Sequence, residues 1–288
     1  MSETSNLVKK VVILINQNKQ KAKEFALEVR QTLNNRSIEV TKIVGVDSLE
    51  ELKLEDDVDL AICLGGDGTV LSCSRLLHSY SIPMLAVNLG TFGFITEVCK
   101  EEWVEAFDAY IKNKAKVSRR LMVKVSVIRD SKRVFVAHGL NEMTIAASGI
   151  SKMVSLDLFI NGTNAGSLRS DGMIVATPTG STGYSLASGG PILDVALDAL
   201  IVNPICPFTL SNRPLVVKGD DVVKIKVRDG QRTQISLTVD GQLFFPLEEL
   251  DYVEVEKSYS KALIIMSPQR NYYEVIRDKL NWSGGMDA

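Results

Sequence analysis

The stretch Leu64-Gly65-Gly66-Asp67-Gly68-Thr69 sets three glycines around one carboxylate. It follows the apolar run Val58-Asp59-Leu60-Ala61-Ile62-Cys63 and precedes the amphipathic run Val70 to Leu77, so it reads as a strand, a glycine turn and a helix start. Glycine has no Cβ, so an anion can approach the backbone closely, and a helix N-terminus offers N–H groups and a partial positive charge. Gly65, Gly66, Gly68 and Thr69 are therefore expected to form a phosphate loop. A carboxylate beside a phosphate is repulsive unless a metal lies between them or the carboxylate handles a proton. Asp67 thus has a chemical role in this reading. The competing reading is a plain Asp-Gly turn with Asp67 as helix cap.

A second constellation lies further on. Arg169-Ser170-Asp171-Gly172 leads into the strand Met173 to Thr177, and Pro178-Thr179-Gly180-Ser181-Thr182-Gly183-Tyr184-Ser185-Leu186-Ala187-Ser188-Gly189-Gly190 follows. Hydroxyls and free N–H groups suit ribose and phosphate oxygens, and a tyrosine suits stacking on a flat base. An ordinary polar connection is the alternative, but long loops in compact domains are often functional. Asn141-Glu142 interrupts the β-like run Val134 to Ile145 and, on residue type alone, reads as a turn.

The elements around these motifs change character along the chain. Up to about residue 117, largely apolar strands (Val11 to Ile15, Ile38 to Val44, Val58 to Leu64, Ile82 to Asn88) alternate with helices (Gln17 to Leu33, Thr69 to Leu77, Glu101 to Lys114). That pattern predicts an α/β domain with a parallel sheet covered on both faces, residues 1–117. Period-2 strands then take over, as in Val123/Val125/Val127, Val223/Ile225/Val227 and Ile235/Leu237/Val239, with hairpin signals at Asn161-Gly162 and Asp240-Gly241. They predict an antiparallel, sandwich-like all-β domain over 118–266, and a helix from Asn271 to Leu280 within a tail, 267–288, that can pack back on the first domain. Gly65 to Gly68 sits at the carboxyl end of a parallel strand, where α/β sheets bind ligands.

Composition narrows the function classes. The 288 residues carry a net charge of −2 and are 45% hydrophobic, which supports a large core and offers no global attraction to nucleic acid or an anionic membrane. No apolar run approaches the roughly 18 residues of a membrane-spanning helix, and Met1 to Asn6 is polar with no secretory apolar segment. Cys63, Cys73, Cys99 and Cys206 show no metal-binding spacing, and there are only two histidines. A cytoplasmic protein without nucleic-acid or membrane partners is expected, with no metal held by protein ligands.

Taken together, Gly65-Gly66-Asp67-Gly68-Thr69, Asn88-Leu89-Gly90 with Gly93-Phe94, Asn141-Glu142, Ser170-Asp171-Gly172, Thr177 to Tyr184, Gly189-Gly190-Pro191 and Asp240-Gly241-Gln242 resemble the bacterial NAD kinases, from about Val11 to Trp282. The resemblance implies transfer of the γ-phosphoryl of ATP to the 2′-hydroxyl of the adenosine ribose of NAD, giving NADP, with Mg²⁺ arriving on the ATP. It implies that Asp67 is the general base and that Gly68 lies beside the nucleotide. Asn141 and Glu142 would hold the adenosine of NAD. Thr182, Gly183, Tyr184, Ser185, Leu186 and Ala187 would line its site, with Arg169 and Asp171 toward the nicotinamide, across a subunit interface. Lys152 and Gln242 match further nucleotide contacts, and a homodimer or homotetramer is implied. Gly183 stands where alanine is common in that family, and Phe208 where histidine is common. A lipid or sugar kinase sharing the glycine motif, and a non-catalytic NAD sensor, are the alternatives.

Overall fold

Uninterrupted apolar runs form the central strands of the first unit, because a strand covered on both faces has no polar side to present. The computed structural model describes residues 8–46, 53–54, 57–90, 93–149, 153–209 and 211–282. It divides into residues 1–119 with 262–288, and residues 120–261. The first unit contains β1 (Lys10–Ile15), α1 (Gln20–Asn34), β2 (Glu39–Gly45), β3 (Leu60–Leu64), α2 (Asp67–Leu77), β4 (Met84–Asn88), β5 (Val98–Cys99), α3 (Trp103–Ile111) and β6 (Val117–Arg120). The strand order is β2-β1-β3-β4, and the β1–β2, β1–β3, β3–β4 and β4–β5 pairs are parallel. Every residue of β3 and β4 is buried. Ala22, Phe25, Ala26, Val29 and Leu33 of α1 share a core with Trp103, Ala106, Phe107 and Tyr110 of α3. Ile15 pairs with Leu64, and Leu64 with Val87, so β1, β3 and β4 end level and their following loops emerge at one sheet edge.

The second unit contains β7 (Val123–Arg129), β8 (Lys132–Gly139), β9 (Glu142–Ala147), β10 (Val154–Ile160), β11 (Thr163–Ser170), β12 (Gly172–Ala176), α4 (Tyr184–Ala187), β13 (Ala199–Ile205), β14 (Leu215–Lys218), β15 (Val223–Val227), β16 (Ile235–Val239), β17 (Leu243–Leu247) and β18 (Tyr252–Lys257). Two six-stranded antiparallel sheets run β11-β10-β15-β18-β7-β8 and β14-β13-β12-β9-β16-β17. The period-2 residues of both sheets point into one shared core, with Val123, Val125, Val127 and Ile225 from one and Met143, Val175, Val202 and Leu237 from the other. The hairpin signals hold, since Asn161, Gly162, Asp240 and Gly241 all have positive φ.

The chain then returns to the first unit as β19 (Ala262–Ile265) and α5 (Tyr272–Leu280). β19 pairs in parallel with β4 and lies beside β6. Residues 262–265, which the sequence reading assigned to the β domain, therefore complete the parallel sheet. A four-residue apolar strand carries no signal to say which sheet it joins.

Phe107 is fully buried in the first unit's core. Phe107→Ala is expected to lower the unfolding free energy by about 3–5 kcal/mol through lost transfer energy and the cavity left behind. Urea unfolding followed by circular dichroism measures this.

Candidate active site

In the first unit the glycine turn sits between β3 and α2. The helix begins at Asp67 with Gly66 as its N-cap, so Asp67 occupies the first helical position and is not the cap. A carboxylate there is favoured by the helix dipole. The glycines have different reasons for being glycine. A Cβ on Gly65 would overlap the buried Thr69 side chain, whereas one on Gly66 would meet no atom within 4 Å. At Gly66 the backbone is therefore bordered by open space.

The Asp67 carboxylate turns toward the segment between β4 and β5. Its Oδ2 accepts the Phe94 N–H at 2.7 Å, and its Oδ1 accepts the Ile95 N–H at 3.2 Å, the Thr96 N–H at 3.0 Å and the Thr96 hydroxyl at 3.0 Å. Asn88, at the end of β4, donates to the Thr96 hydroxyl at 3.1 Å and accepts the Gly90 N–H at 2.7 Å. A Cβ on Gly93 would overlap the Asp67 carboxylate, which explains glycine at that position. A carboxylate offers about four lone-pair directions. Oδ1 is fully engaged and Oδ2 keeps capacity for another proton or donor. Thr96, completely buried, was missed in the sequence reading, since nothing in its type or neighbours links it to a residue so far upstream.

In the second unit Asn141 occupies the bend between β8 and β9, and Glu142 opens β9. The bend is held by Asp240, whose carboxylate accepts the N–H groups of Leu140 at 2.9 Å, Asn141 at 2.8 Å and Glu142 at 3.2 Å. Thr177 closes it from the other side, donating its N–H to the Asn141 carbonyl at 2.8 Å and its hydroxyl to the Leu140 carbonyl at 2.6 Å. Gly180 lies against the Asn141 backbone so closely that a Cβ would overlap it. Around this bend, Asn141 Oδ1, Glu142 Oε2 and Thr179 Oγ1 are buried with no hydrogen-bond partner among the described residues. Unsatisfied buried polar atoms are costly, so three within this short set of neighbouring segments call for an explanation. A Cβ on Gly183 would stand 3.2 Å from Glu142 Oε2 and 3.5 Å from Asn141 Nδ2, so this glycine borders the same spot. Burial, followed by the neighbouring Asp240 carboxylate, pushes the Glu142 carboxyl up to about 7.

The remaining sequence candidates divide. Tyr184 presents a ring that is 46% exposed, and Thr182 donates its hydroxyl to the Thr179 carbonyl at 3.3 Å. Leu186 and Ala187 complete the short helix α4 beside them. Ser185 is fully buried, its oxygens accepting from Asn203 Nδ2 at 3.0 and 3.3 Å, so it supports the turn from beneath. Gln242 is exposed on the Asp240 hairpin. Arg169 and Asp171 are not part of the cluster. Ala176 pairs with Glu142 at one end of β12, while Asp171 precedes the other end, at Gly172. The Arg169 guanidinium lies 5.7 Å from the exposed Phe208 ring. Lys152 lies outside the described residues. Among the described residues no group of three or more His, Cys, Asp or Glu is placed to hold a metal, and no helix is long and apolar enough to cross a membrane.

Fold and motifs together describe a two-domain nucleotide kinase. The family model described as the ATP-NAD kinase N-terminal domain matches residues 46–115, and the ATP-NAD kinase C-terminal domain matches residues 140–267. The chain is 39% identical to an NAD kinase of Treponema denticola over 279 residues, covering 96% of this chain and 98% of that protein. It is 38% identical to an NAD kinase of Geobacter sulfurreducens over 224 residues, 78% of each. Among solved structures it is similar to an NAD kinase from Archaeoglobus fulgidus in complex with ATP, with TM-score 0.73 and 25% identity over 93% of this chain and 98% of that one. It shares its fold with yeast NADH kinase complexed with NADH, with TM-score 0.83 and 24% identity over 98% of this chain and 90% of that one. The chain belongs to the NAD kinase family.

The raised Glu142 carboxyl has a measurable consequence for stability. Between its ordinary value of 4.5 and about 7, the folded protein holds a proton that the unfolded chain has released, so this group's contribution falls as pH rises through that window. Glu142→Gln has no such proton. The wild-type minus Glu142→Gln difference in melting temperature is expected to fall from pH 4.5 to 7 and then level off. A difference flat across that range in calorimetric scans would show that Glu142 titrates as an ordinary carboxyl.

Proposed function

We propose that this chain phosphorylates NAD at the 2′-hydroxyl of its adenosine ribose, with MgATP as donor, to give NADP. One observation carries the reading beyond family membership. Asn141 Oδ1, Glu142 Oε2 and Thr179 Oγ1 are buried without partners among the described residues, and Gly183, which borders the Asn141 and Glu142 side chains, is followed by the exposed Tyr184. Polar atoms waiting for hydroxyls and an amine next to an aromatic face are what an adenosine requires, and they are foreign to a lipid acceptor.

In the proposed reaction the 2′-oxygen bonds to the γ-phosphorus, the bond from that phosphorus to the β,γ-bridging oxygen breaks, and ADP leaves. The hydroxyl proton passes to Asp67 Oδ2. Phosphoryl transfer asks the protein mainly for positioning and charge neutralisation. The four hydrogen bonds on Asp67 fix where its remaining acceptor direction lies, and Gly66 leaves its backbone open to the donor phosphates. A Mg²⁺ bound to the donor would supply charge neutralisation on its phosphates, with Gly65, Gly66, Gly68 and Thr69 facing that phosphate chain. Asn141, Glu142, Thr182, Gly183, Tyr184 and Ala187 are assigned to the adenosine half of NAD, with Ser185 and Leu186 shaping the turn. Gln242, Lys152, Arg169 and Asp171 are assigned to contacts further along the dinucleotide. The position of Arg169 and Asp171 at the far end of β12 fits a role toward a neighbouring subunit's site in a homodimer or homotetramer. Action in the cytoplasm, where ATP and NAD are both supplied, fits this reading.

An assay offering ATP and Mg²⁺ with NAD, a diacylglycerol or a sugar phosphate tests the reading, and only NAD is expected to be phosphorylated. Asp67→Asn is expected to lower kcat by roughly 10² or more if Asp67 accepts the proton. Thr96→Val removes one hydrogen bond from the same carboxylate but keeps the base, and is expected to cost about tenfold or less. Equal losses in the two variants would reduce Asp67 to an anchor for the loop. Tyr184→Ala is expected to raise the KM for NAD more than it lowers kcat, since base stacking, worth about 1–3 kcal/mol in nucleic-acid complexes, acts in ground and transition states alike.

A further inference from the structure

The segment Phe94 to Glu97 is held from two sides, both within the first unit. The N–H groups of Phe94, Ile95 and Thr96 and the Thr96 hydroxyl donate to the Asp67 carboxylate. The next residue, Glu97, is buried and meets the chain that follows β19. Ser267 donates its N–H to Glu97 Oε2 at 3.3 Å, and Arg270 Nη1 donates to the Glu97 carbonyl at 3.1 Å. Arg270 also forks onto Glu102, with Nη1 2.6 Å from Oε2 and Nη2 2.7 Å from Oε1. Glu102 Oε2 in turn accepts the Cys99 N–H at 3.1 Å. One guanidinium therefore braces both ends of the stretch 97–102. Its own backbone is fixed, because β19 precedes it in the sheet and Asn271 caps α5 just after it, accepting the Tyr273 and Glu274 N–H groups at 3.1 Å each. The hydrogen bonds from Arg270 hold the Glu102 carboxyl below the usual carboxylate range, so the pair is charged at neutral pH.

We propose that Arg270 is a positioning residue for the phosphoryl transfer: by bridging Glu102 and the Glu97 carbonyl, it holds the segment Phe94 to Thr96 in the placement that aims the Asp67 carboxylate. The inference rests on the reading of Asp67 as the base, and Arg270 works through that carboxylate rather than on a reacting atom. The path is short. Thr96 gives its N–H and its hydroxyl to Asp67 Oδ1, and the carbonyl of the very next residue takes its bond from Arg270. Arginine suits the place because its planar fork meets two acceptors at fixed angles, whereas lysine is a point charge on a flexible stem. Without the guanidinium the segment keeps its bonds to Asp67 but loses its outer anchor, so segment and carboxylate drift together. A misplacement of about 1 Å can cost about 10²-fold in rate, and a base tolerates little of that drift.

The test is Arg270→Ala in the full chain, alone and combined with Asp67→Asn, with Arg270→Lys and Glu102→Gln as milder variants. Melting curves establish which variants are folded, and the two milder ones carry the same comparisons if alanine does not fold. In Arg270→Ala kcat is expected to fall about tenfold or more, while the KM values for NAD and MgATP stay within about threefold. Arg270→Lys and Glu102→Gln are expected to lie between it and wild type. In the Asp67→Asn background the same change is expected to cost less than about twofold, because the group it aims is already gone. Amide hydrogen exchange without substrates reads the placement itself. Exchange at Phe94, Ile95 and Thr96 is expected to be about tenfold faster in Arg270→Ala, with α1 unchanged. An unchanged kcat, a loss by the same factor in both Asp67 backgrounds, or unchanged exchange at those three amides overturns the proposal. Normal turnover in Asp67→Asn removes the base and the proposal with it. A wild type that makes no NADP overturns the kinase reading instead, and the exchange rates still decide whether Arg270 places the segment that carries the carboxylate.

Discussion

The Asp67 carboxylate on the backbone of Phe94, Ile95 and Thr96 is the contact around which the first unit's site is arranged. It ties the start of α2 to the segment that follows β4, two pieces of chain that the parallel sheet delivers to the same edge. Backbone N–H groups are directional donors, and a carboxylate that accepts three of them has little rotational freedom left. The contact also accounts for glycine at position 93, whose missing side chain is the space the carboxylate fills. One acidic side chain thereby sets the shape of the loop, the start of the helix and the direction of its own unused lone pair.

The second unit repeats the device with different residues. Asp240, on the hairpin after β16, accepts the N–H groups of Leu140, Asn141 and Glu142. In doing so it holds Asn141 and Glu142, whose Oδ1 and Oε2 atoms are buried without partners among the described residues. The arrangement is costly in the absence of ligand, because the same burial that orients Glu142 also penalises its charge, and Asp240 adds a like charge nearby. Such strain persists where the surrounding structure over-determines it. Here Thr177 and Gly180 press on the bend from the opposite side to Asp240.

Much of this was legible in the residues. Largely apolar strands separated by helices announced the parallel sheet, alternating strands announced the sandwich, and Asn-Gly and Asp-Gly marked hairpins that have the required positive φ. The glycine turn alone was ambiguous, because Asp-Gly is also a common turn, and it became legible through the second, hydroxyl-rich motif from Thr177 to Tyr184. The partners of Asp67 were not, since they are backbone atoms 27 to 29 residues downstream, and a backbone donor leaves no mark on residue type. Asp240 was read as a turn residue. That is correct as far as it goes, because its grip on residues about a hundred positions earlier depends on β16 lying beside β9. Ser185, read as lining the site, is fully buried and bonded to Asn203, and a hydroxyl that serves a ligand and one that serves Asn203 look alike in a sequence.

The parallel sheet is not built from one stretch of chain. Its β19 strand is encoded after the whole second unit, yet pairs with β4 and sits beside β6. During synthesis the chain therefore emerges with β5 covering only Val87 and Asn88 of β4, and the Met84 end of that strand lacks its β19 partner until residues 262–265 leave the ribosome. The inserted sandwich, whose strands are contiguous, can close in the meantime. Any nascent product that stops short of residue 262 carries an open strand edge, which invites the pairing with other chains that native sheets avoid.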